Sequence, residues 1–396
     1  MKRIMLIGVG DLRNYGCEAI VRGTYEILQQ SFSSFTFTVA VANPSMARMI
    51  LKDLPGIRLV EDRRRFSIYR VYRGFLRRFL HIGNGSPVRL NYSLADDCDL
   101  LLLGGGDNIC MTSEGTLLLL CLDLLKTAER TVNHGGKYVL WGASSGPFTD
   151  ECWKIVCPVL KKASGLFIRE EITRTYLTSK LPGQSVLLFA DPAFAMRLPE
   201  NMHSPRTDTI RVGLNLSRLA LWNRQDKLNE FCQNMVEWGH SNYIDELVLI
   251  PHVMTDENGP QNDYCFLQEI QTLLTKHNPD FKVLLLPREL GALRTKAEIA
   301  NLEFLIASRM HCCVAGCSFG IPTVFLTYSI KGEGMCRFVY EGKYPSFTIE
   351  EVFGDEFFKK LTTLFEKRSS MKKILCSRRK YFYESALAAG KALNEL

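Results

Sequence analysis

Arg3-Ile4-Met5-Leu6-Ile7-Gly8-Val9-Gly10-Asp11 is the stretch on which the fold reading turns. Its apolar residues follow one another without polar alternation and end on glycine. That is the pattern of a strand buried on both faces, as parallel strands are. The glycines lead through Leu12-Arg13-Asn14-Tyr15 into residues 17–30, which have helical spacing, and residues 35–42 return to a strand. Strand, crossover helix and strand make one β/α unit. The pattern continues with strands predicted at 99–103, 137–141, 165–168 and 185–189 and helices at 116–132, 150–162 and 170–179. Residues 197–209 break it, being polar and aperiodic with Pro199 and Pro205, and read as a linker. It then restarts, with strands at 210–216, 246–250, 282–286, 304–307 and 323–326, helices at 227–238, 263–276 and 312–319, and closing helices at 349–367 and 371–396. The expected fold is α/β: two Rossmann-like domains, 1–196 and 210–396, facing across a cleft. Ligands of such sheets bind at the carboxyl ends of the strands, so the chemistry is sought in the loops that follow them.

Composition narrows the class. The chain has 396 residues, 46% hydrophobic and 23% charged, which excludes disordered, collagen-like and small disulfide-stapled chains. The apolar runs at 100–103 and 117–122 fall far short of the ~20 residues of a spanning helix. Asp11 comes too early for a secretory segment, so a cytoplasmic protein is expected. None of the 13 cysteines forms a Cys-x-x-Cys pair, and the cluster Cys312, Cys313, Cys317 lacks the paired spacings of structural zinc. Buried reduced thiols, and no metal site, are expected.

The net charge is +7, and Arg63, Arg64, Arg65, Arg70, Arg73, Arg77 and Arg78 equal that whole excess. So local a patch argues against general nucleic-acid affinity and for one anionic surface. Read as a helix over 63–80, it sets Phe66, Tyr69, Tyr72, Leu76, Phe79 and Leu80 along one side with arginines beside and behind them. That describes an interfacial helix drawn to anionic lipid; a helix packed on its own domain with a solvated basic face fits the same spacing.

Three loops carry residues suited to chemistry. After the first strand, Gly10, Asp11 and Asn14 precede a helix start, where backbone N–H groups meet anions; a tight turn with a cap accounts for the same residues. Gly104, Gly105 and Gly106 with Asp107 form a second loop, in which Asp107 reads either as a hydroxyl-binding or basic group or as a helix N-cap. In Ser308-Arg309-Met310-His311, a guanidinium suited to bidentate anion binding and an imidazole suited to proton transfer stand at a helix start. A capping histidine beside a surface arginine is the alternative. Lys331 adds a cation in the loop Tyr328-Ser329-Ile330-Lys331-Gly332.

Taken together and in order, several segments resemble the polysaccharide pyruvyl transferase family. They are residues 8–19, Gly104-Gly105-Gly106-Asp107, residues 142–147, Phe167-Ile168-Arg169-Glu170, Asp191-Pro192-Ala193-Phe194, Leu249-Ile250-Pro251-His252 with Asp256, and residues 308–332. The resemblance spans nearly the whole chain. It implies a GT-B-like fold and an enzyme that moves the enolpyruvyl group of phosphoenolpyruvate onto two hydroxyls of one sugar as a cyclic ketal, releasing phosphate. Phosphoenolpyruvate is then a co-substrate, and no cofactor is expected. The first domain takes the acceptor, through Gly10, Asp11, Asn14, Gly105, Gly106 and Asp107. The donor falls to Arg169, Ser308, Arg309 and Lys331, with His311 as the proton-transfer group beside Arg309 and His252 as the next candidate. The acceptor is a capsule or exopolysaccharide repeat unit, expected on a polyprenyl-diphosphate carrier. Arg70, Arg73 and Arg77 would then hold the enzyme peripherally at the inner face of an anionic membrane. A GT-B glycosyltransferase with a nucleotide-sugar donor is the alternative. Gly316-Cys317-Ser318-Phe319 lacks the carboxylate many of those enzymes carry before Gly-x-Pro. A non-catalytic sugar- or anion-binding protein would share the cationic loops.

Overall fold

In β1 (Lys2–Gly10), Ile4, Met5, Leu6 and Ile7 are at most 3% exposed, as a strand covered on both faces requires. The computed structural model describes residues 1–66, 88–106, 108–112, 114–202, 209–218, 224–255, 262–327 and 330–396. They form two compact units: Met1–Leu12, Ile20–Pro192 and Ala386–Leu396 in the first, and Arg13–Ala19 with Ala193–Ser385 in the second.

The first unit is a parallel sheet of β1 with β2 (Phe35–Val41), β3 (Ile57–Glu61), β6 (Leu100–Gly106), β7 (Lys137–Ala143), β8 (Gly165–Ile168) and β9 (Val186–Leu188), in the order 3-2-1-6-7-8-9. Strand order reverses between β1 and β6, whose registers pair Ile4 with Leu100 through Ile7 with Leu103. Among the helices of this part of the chain are α1 (Tyr15–Ser31), α2 (Pro44–Ile50), α3 (Leu119–Asn133), α4 (Asp150–Leu160) and α5 (Glu171–Lys180). Local signals start them: Asn14 accepts the Gly16 N–H at the start of α1, and the Thr149 hydroxyl accepts that of Cys152 in α4.

The second unit repeats the plan with β10 (Arg211–Asn215), β11 (Glu246–Leu249), β12 (Val283–Leu285), β13 (Phe304–Ala307), β14 (Thr323–Thr327) and β15 (Phe347–Thr348), in the order 12-11-10-13-14-15, all parallel. Its reversal lies between β10 and β13. Among the described residues of this part of the chain the helices are α6 (Leu228–Ser241), α7 (Asp263–His277), α8 (Gly291–Ala300), α9 (Met310–Phe319), α10 (Ile330–Tyr340), α11 (Ile349–Val352), α12 (Phe357–Glu366) and α13 (Arg368–Asn394), the last of which runs on into the first unit. α9 is apolar and buried almost all round, as a helix enclosed by its own unit must be.

Several expectations change. The helix over 63–80 is overturned where it is described: Arg63–Phe66 is a strand, β4, paired antiparallel with β5 (Val88–Leu90). Residues 67–87, with Arg70, Arg73 and Arg77, lie outside the described residues, as does most of the linker, 203–208. The helix over 349–367 is two, broken at Gly354, whose N–H closes a turn on Glu351 O. The last eleven residues count with the first unit rather than the second. Among the described residues no helix is long and apolar enough to cross a membrane.

Candidate active site

At the switch point of the second unit, the chain after β10 and the chain after β13 are tied together. Asn215, fully buried, donates to Ile250 O (2.8 Å) and accepts the Arg309 N–H (2.8 Å). Ser308 donates its N–H to Asn215 O (2.9 Å), and its hydroxyl accepts the Ser217 N–H (3.0 Å). Ser308 is thus a buried positioning group beneath Arg309. Arg309 keeps extended backbone (φ −86°, ψ 119°) and its carbonyl accepts the N–H groups of Cys312 and Cys313, so it stands at the start of α9 with its side chain turned back.

Asp263 receives that side chain. Arg309 Nη2 lies 2.8 Å from Asp263 Oδ1 and Nε 3.2 Å from Oδ2, a bidentate pair with both groups mostly buried. Asp263 Oδ2 also accepts the N–H groups of His252 (3.2 Å) and Val253 (3.0 Å). One carboxylate therefore aims Arg309 and fixes the loop after β11. In the sequence Asp263 reads only as a helix start, which it also is: Asn262 caps α7 by accepting the Cys265 N–H. An acid in the first turn of a helix is too common a signal to single out.

The segment from Arg13 to Ala19 belongs to this unit and builds the other wall. Asn14 bridges to Val253, and Arg13 donates to Thr255 O (2.9 Å). Tyr15 donates its N–H to His252 O (3.0 Å) and its hydroxyl to Arg288 O (2.9 Å), and its ring meets His252 edge-on at 5.7 Å. Glu18, buried, accepts the Ala292 N–H (2.8 Å) at the start of α8, where a negative charge suits the helix dipole. The His311 ring lies against the Cα of Gly16: a Cβ there would stand 2.5 Å from His311 Nδ1.

Electrostatics separates the two histidines. Burial, reinforced by the neighbouring His311 and Arg309, lowers the His252 pKa to about 3. His252 is therefore neutral near pH 7 and is no proton donor there. Burial pushes Tyr15 up to about 12, so its hydroxyl stays protonated. The thiols of Cys312, Cys313 and Cys317 are likewise driven up by burial and are inert fillers of α9. Lys331 sits in the first turn of α10, not in a loop, and is buried. Tyr328 and Ser329 lie outside the described residues.

In the first unit, the loops after β1 and β6 meet at the switch point. Asn108 Nδ2 donates to Gly8 O (2.7 Å) and Gly104 O (3.0 Å) and locks them together. Gly10 (φ 58°) and Gly106 (φ 72°), the latter next to Gly105 in β6, hold left-handed backbone, with open space where a Cβ would stand. Asp11 is partly exposed nearby in sequence, whereas Asn14 serves as the cap of α1. Asp107 and Asp256 lie outside the described residues.

Arg169 departs from the expectation of a donor ligand. It is 1% exposed, and its guanidinium donates to Asp191 Oδ2 (2.9 Å) and Ser144 Oγ (2.9 Å), with Asp191 fully buried. It holds the ends of β7 and β8 to the Asp191-Pro192 turn.

Two doubly wound parallel sheets, each with glycine- or cation-bearing loops at its switch point, define a GT-B-like fold. Solved structures share that fold. The UDP-GlcNAc 2-epimerase from Neisseria meningitidis bound to UDP-GlcNAc matches with a TM-score of 0.60 at 11% identity, over 98% of each chain. The UDP-GlcNAc 2-epimerase from Methanocaldococcus jannaschii matches at 0.57 and 12%, over 93% of this chain and 92% of that one. A glycosyltransferase from Rickettsia africae matches at 0.56 and 10%, over 100% and 98%. Among curated proteins none matches by sequence. The sequence profile of the polysaccharide pyruvyl transferase family matches residues 14–330, and the chain belongs to that family.

Proposed function

We propose that the protein transfers the pyruvyl group of phosphoenolpyruvate onto two hydroxyls of one sugar in a polysaccharide repeat unit. The observation that carries this reading is the pairing of Arg309, aimed by Asp263, with His311, two residues on at the start of α9, while His252 is kept neutral. A donor bearing phosphate and carboxylate calls for a guanidinium and an electropositive helix start, and protonation of its methylene carbon calls for a single proton donor. Ser308 and Asn215 position Arg309. Lys331, and the loops of Gly10, Asp11, Gly105, Gly106 and Asp107, are the further candidates for donor and acceptor.

The steps balance as follows. His311 gives a proton to the methylene carbon, which becomes a methyl group and leaves an oxocarbenium-like centre. One sugar hydroxyl adds there and loses its proton to the imidazole. Phosphate departs with its bonding electrons, and the second hydroxyl closes the ketal and releases its proton. Positioned proton transfer contributes ~10²–10⁴-fold. The reaction balances without a redox cofactor.

Phosphate release from phosphoenolpyruvate, with and without a glycan acceptor, tests the reading. His311→Ala should retain donor binding and lose turnover; turnover near wild type would remove His311 from the mechanism. The seven arginines between 63 and 78 support a lipid-linked acceptor reached at an anionic membrane, read by co-sedimentation with anionic but not neutral vesicles.

A further inference from the structure

A cavity of about 410 Å³ in the second unit, outside the site above, opens among α8, α9, α13 and the chain leading out of Ala193. Four cations line it, Lys296, Arg197, Arg379 and Lys380, with no carboxylate among the lining residues. Aromatic rings, Phe194 and Phe382 among them, form the walls.

Lys296 is the unusual member. It points inward from α8, is 3% exposed, donates to Met196 O (2.6 Å) and lies 5.5 Å from the centre of the Phe319 ring. A buried ammonium normally has a carboxylate partner, because a carbonyl and a ring face replace little of its lost hydration. Burial and the charge of Arg379 accordingly pull its pKa down to about 7. Arg379 donates to Ser318 O (3.2 Å) and lies 5.8 Å from the centre of the Phe319 ring; Arg197 lies 4.5 Å from the centre of the Tyr383 ring. Two guanidinium groups thus lie over rings, with the Lys296 ammonium buried in the same lining. Lys380 is paired with Glu384 at 3.6 Å, whereas the charges of Lys296 and Arg379 repel each other, and an anion entering the cavity offsets that repulsion.

We propose that this cavity is a binding site for a small oxyanion, phosphate or carboxylate, carried on a compact apolar or aromatic body. The oxyanion meets Lys296 and Arg379, and the body lies between the aromatic walls. Nothing in the proposed transfer uses these residues.

Calorimetric titration of the whole chain with phenyl phosphate tests it, with benzoate, inorganic phosphate and phenol as comparison probes. Saturable binding of phenyl phosphate is expected, tighter than that of inorganic phosphate, with none for phenol; benzoate against phenyl phosphate shows which oxyanion is preferred. Lys296→Met, which exchanges a buried ammonium for a thioether of similar length, and Arg379→Gln at the exposed rim should each weaken phenyl phosphate binding at least tenfold, whereas Arg309→Ala should leave it unchanged. Three results would overturn the proposal: no saturable binding, affinity unaltered by both cavity variants, or affinity lost in Arg309→Ala, which would assign the anion to the candidate active site.

Discussion

Gly16→Ala adds one methyl group at the point where α1 touches His311. The new Cβ would lie 2.5 Å from His311 Nδ1, 2.8 Å from Cγ and 3.0 Å from Cβ, whereas ordinary contact begins near 3.4 Å. Something must retreat by about 1 Å. The first turn of α1 is pinned by the Asn14 cap, by both hydrogen bonds of Tyr15 and by Glu18 on Ala292 N–H, so the imidazole yields. A misplacement of about 1 Å costs up to ~10²-fold in rate, or about 3 kcal/mol of barrier. Stability should change little, because alanine gains roughly 0.5–1 kcal/mol over glycine in a helix and offsets part of the crowding. The assay is steady-state phosphate release from phosphoenolpyruvate with acceptor, resolving kcat from KM. We expect kcat to fall ~10²-fold with KM little changed. Gly16→Ala on a His311→Ala background should cost nothing further, since the two act on one group. Wild-type kcat in Gly16→Ala, or full additivity of the two changes, would refute the placement of His311 in the chemistry.

Arg169→Ala removes the guanidinium partner of the buried Asp191, so it should cost about 3–5 kcal/mol in chemical denaturation; a change in donor KM with no loss of stability would return Arg169 to the donor site. His252 titrates near 3 when folded and near 6.5 when unfolded, so between those values the unfolded chain binds the extra proton and stability falls as pH falls. Denaturation from pH 6.5 downward should show wild type losing about 1.4 kcal/mol per pH unit more than His252→Gln, and equal slopes would disprove a buried neutral imidazole.

The sheets were legible because their signal is local. Apolar runs such as Leu100–Leu103 and Phe304–Ala307 announce strands covered on both sides, and the glycines after Leu103 mark a turn. Arg309 and His311 were legible for the same reason, since a cation and an imidazole at a helix start are read from four consecutive residues. Long-range pairing was not. The partner of Arg63–Phe66 is Val88–Leu90, and amphipathic spacing in residues 63–80 carries no trace of it. Asp263 stands 46 residues from Arg309, and its role emerges only where β11 and β13 flank the same strand. Arg169 looks identical in sequence whether it meets a ligand or Asp191. That Gly16 must be glycine depends on a ring nearly three hundred residues away.

Donor binding tests the proposed pyruvyl transfer most directly. The protein is titrated with phosphoenolpyruvate and with nucleotide sugars in parallel, and phosphate is then followed as a glycan acceptor is added. Saturable binding of phosphoenolpyruvate, weakened by Arg309→Ala, is expected, with phosphate appearing in step with a pyruvyl ketal on the acceptor. Tight binding of a nucleotide sugar with none of phosphoenolpyruvate would contradict it.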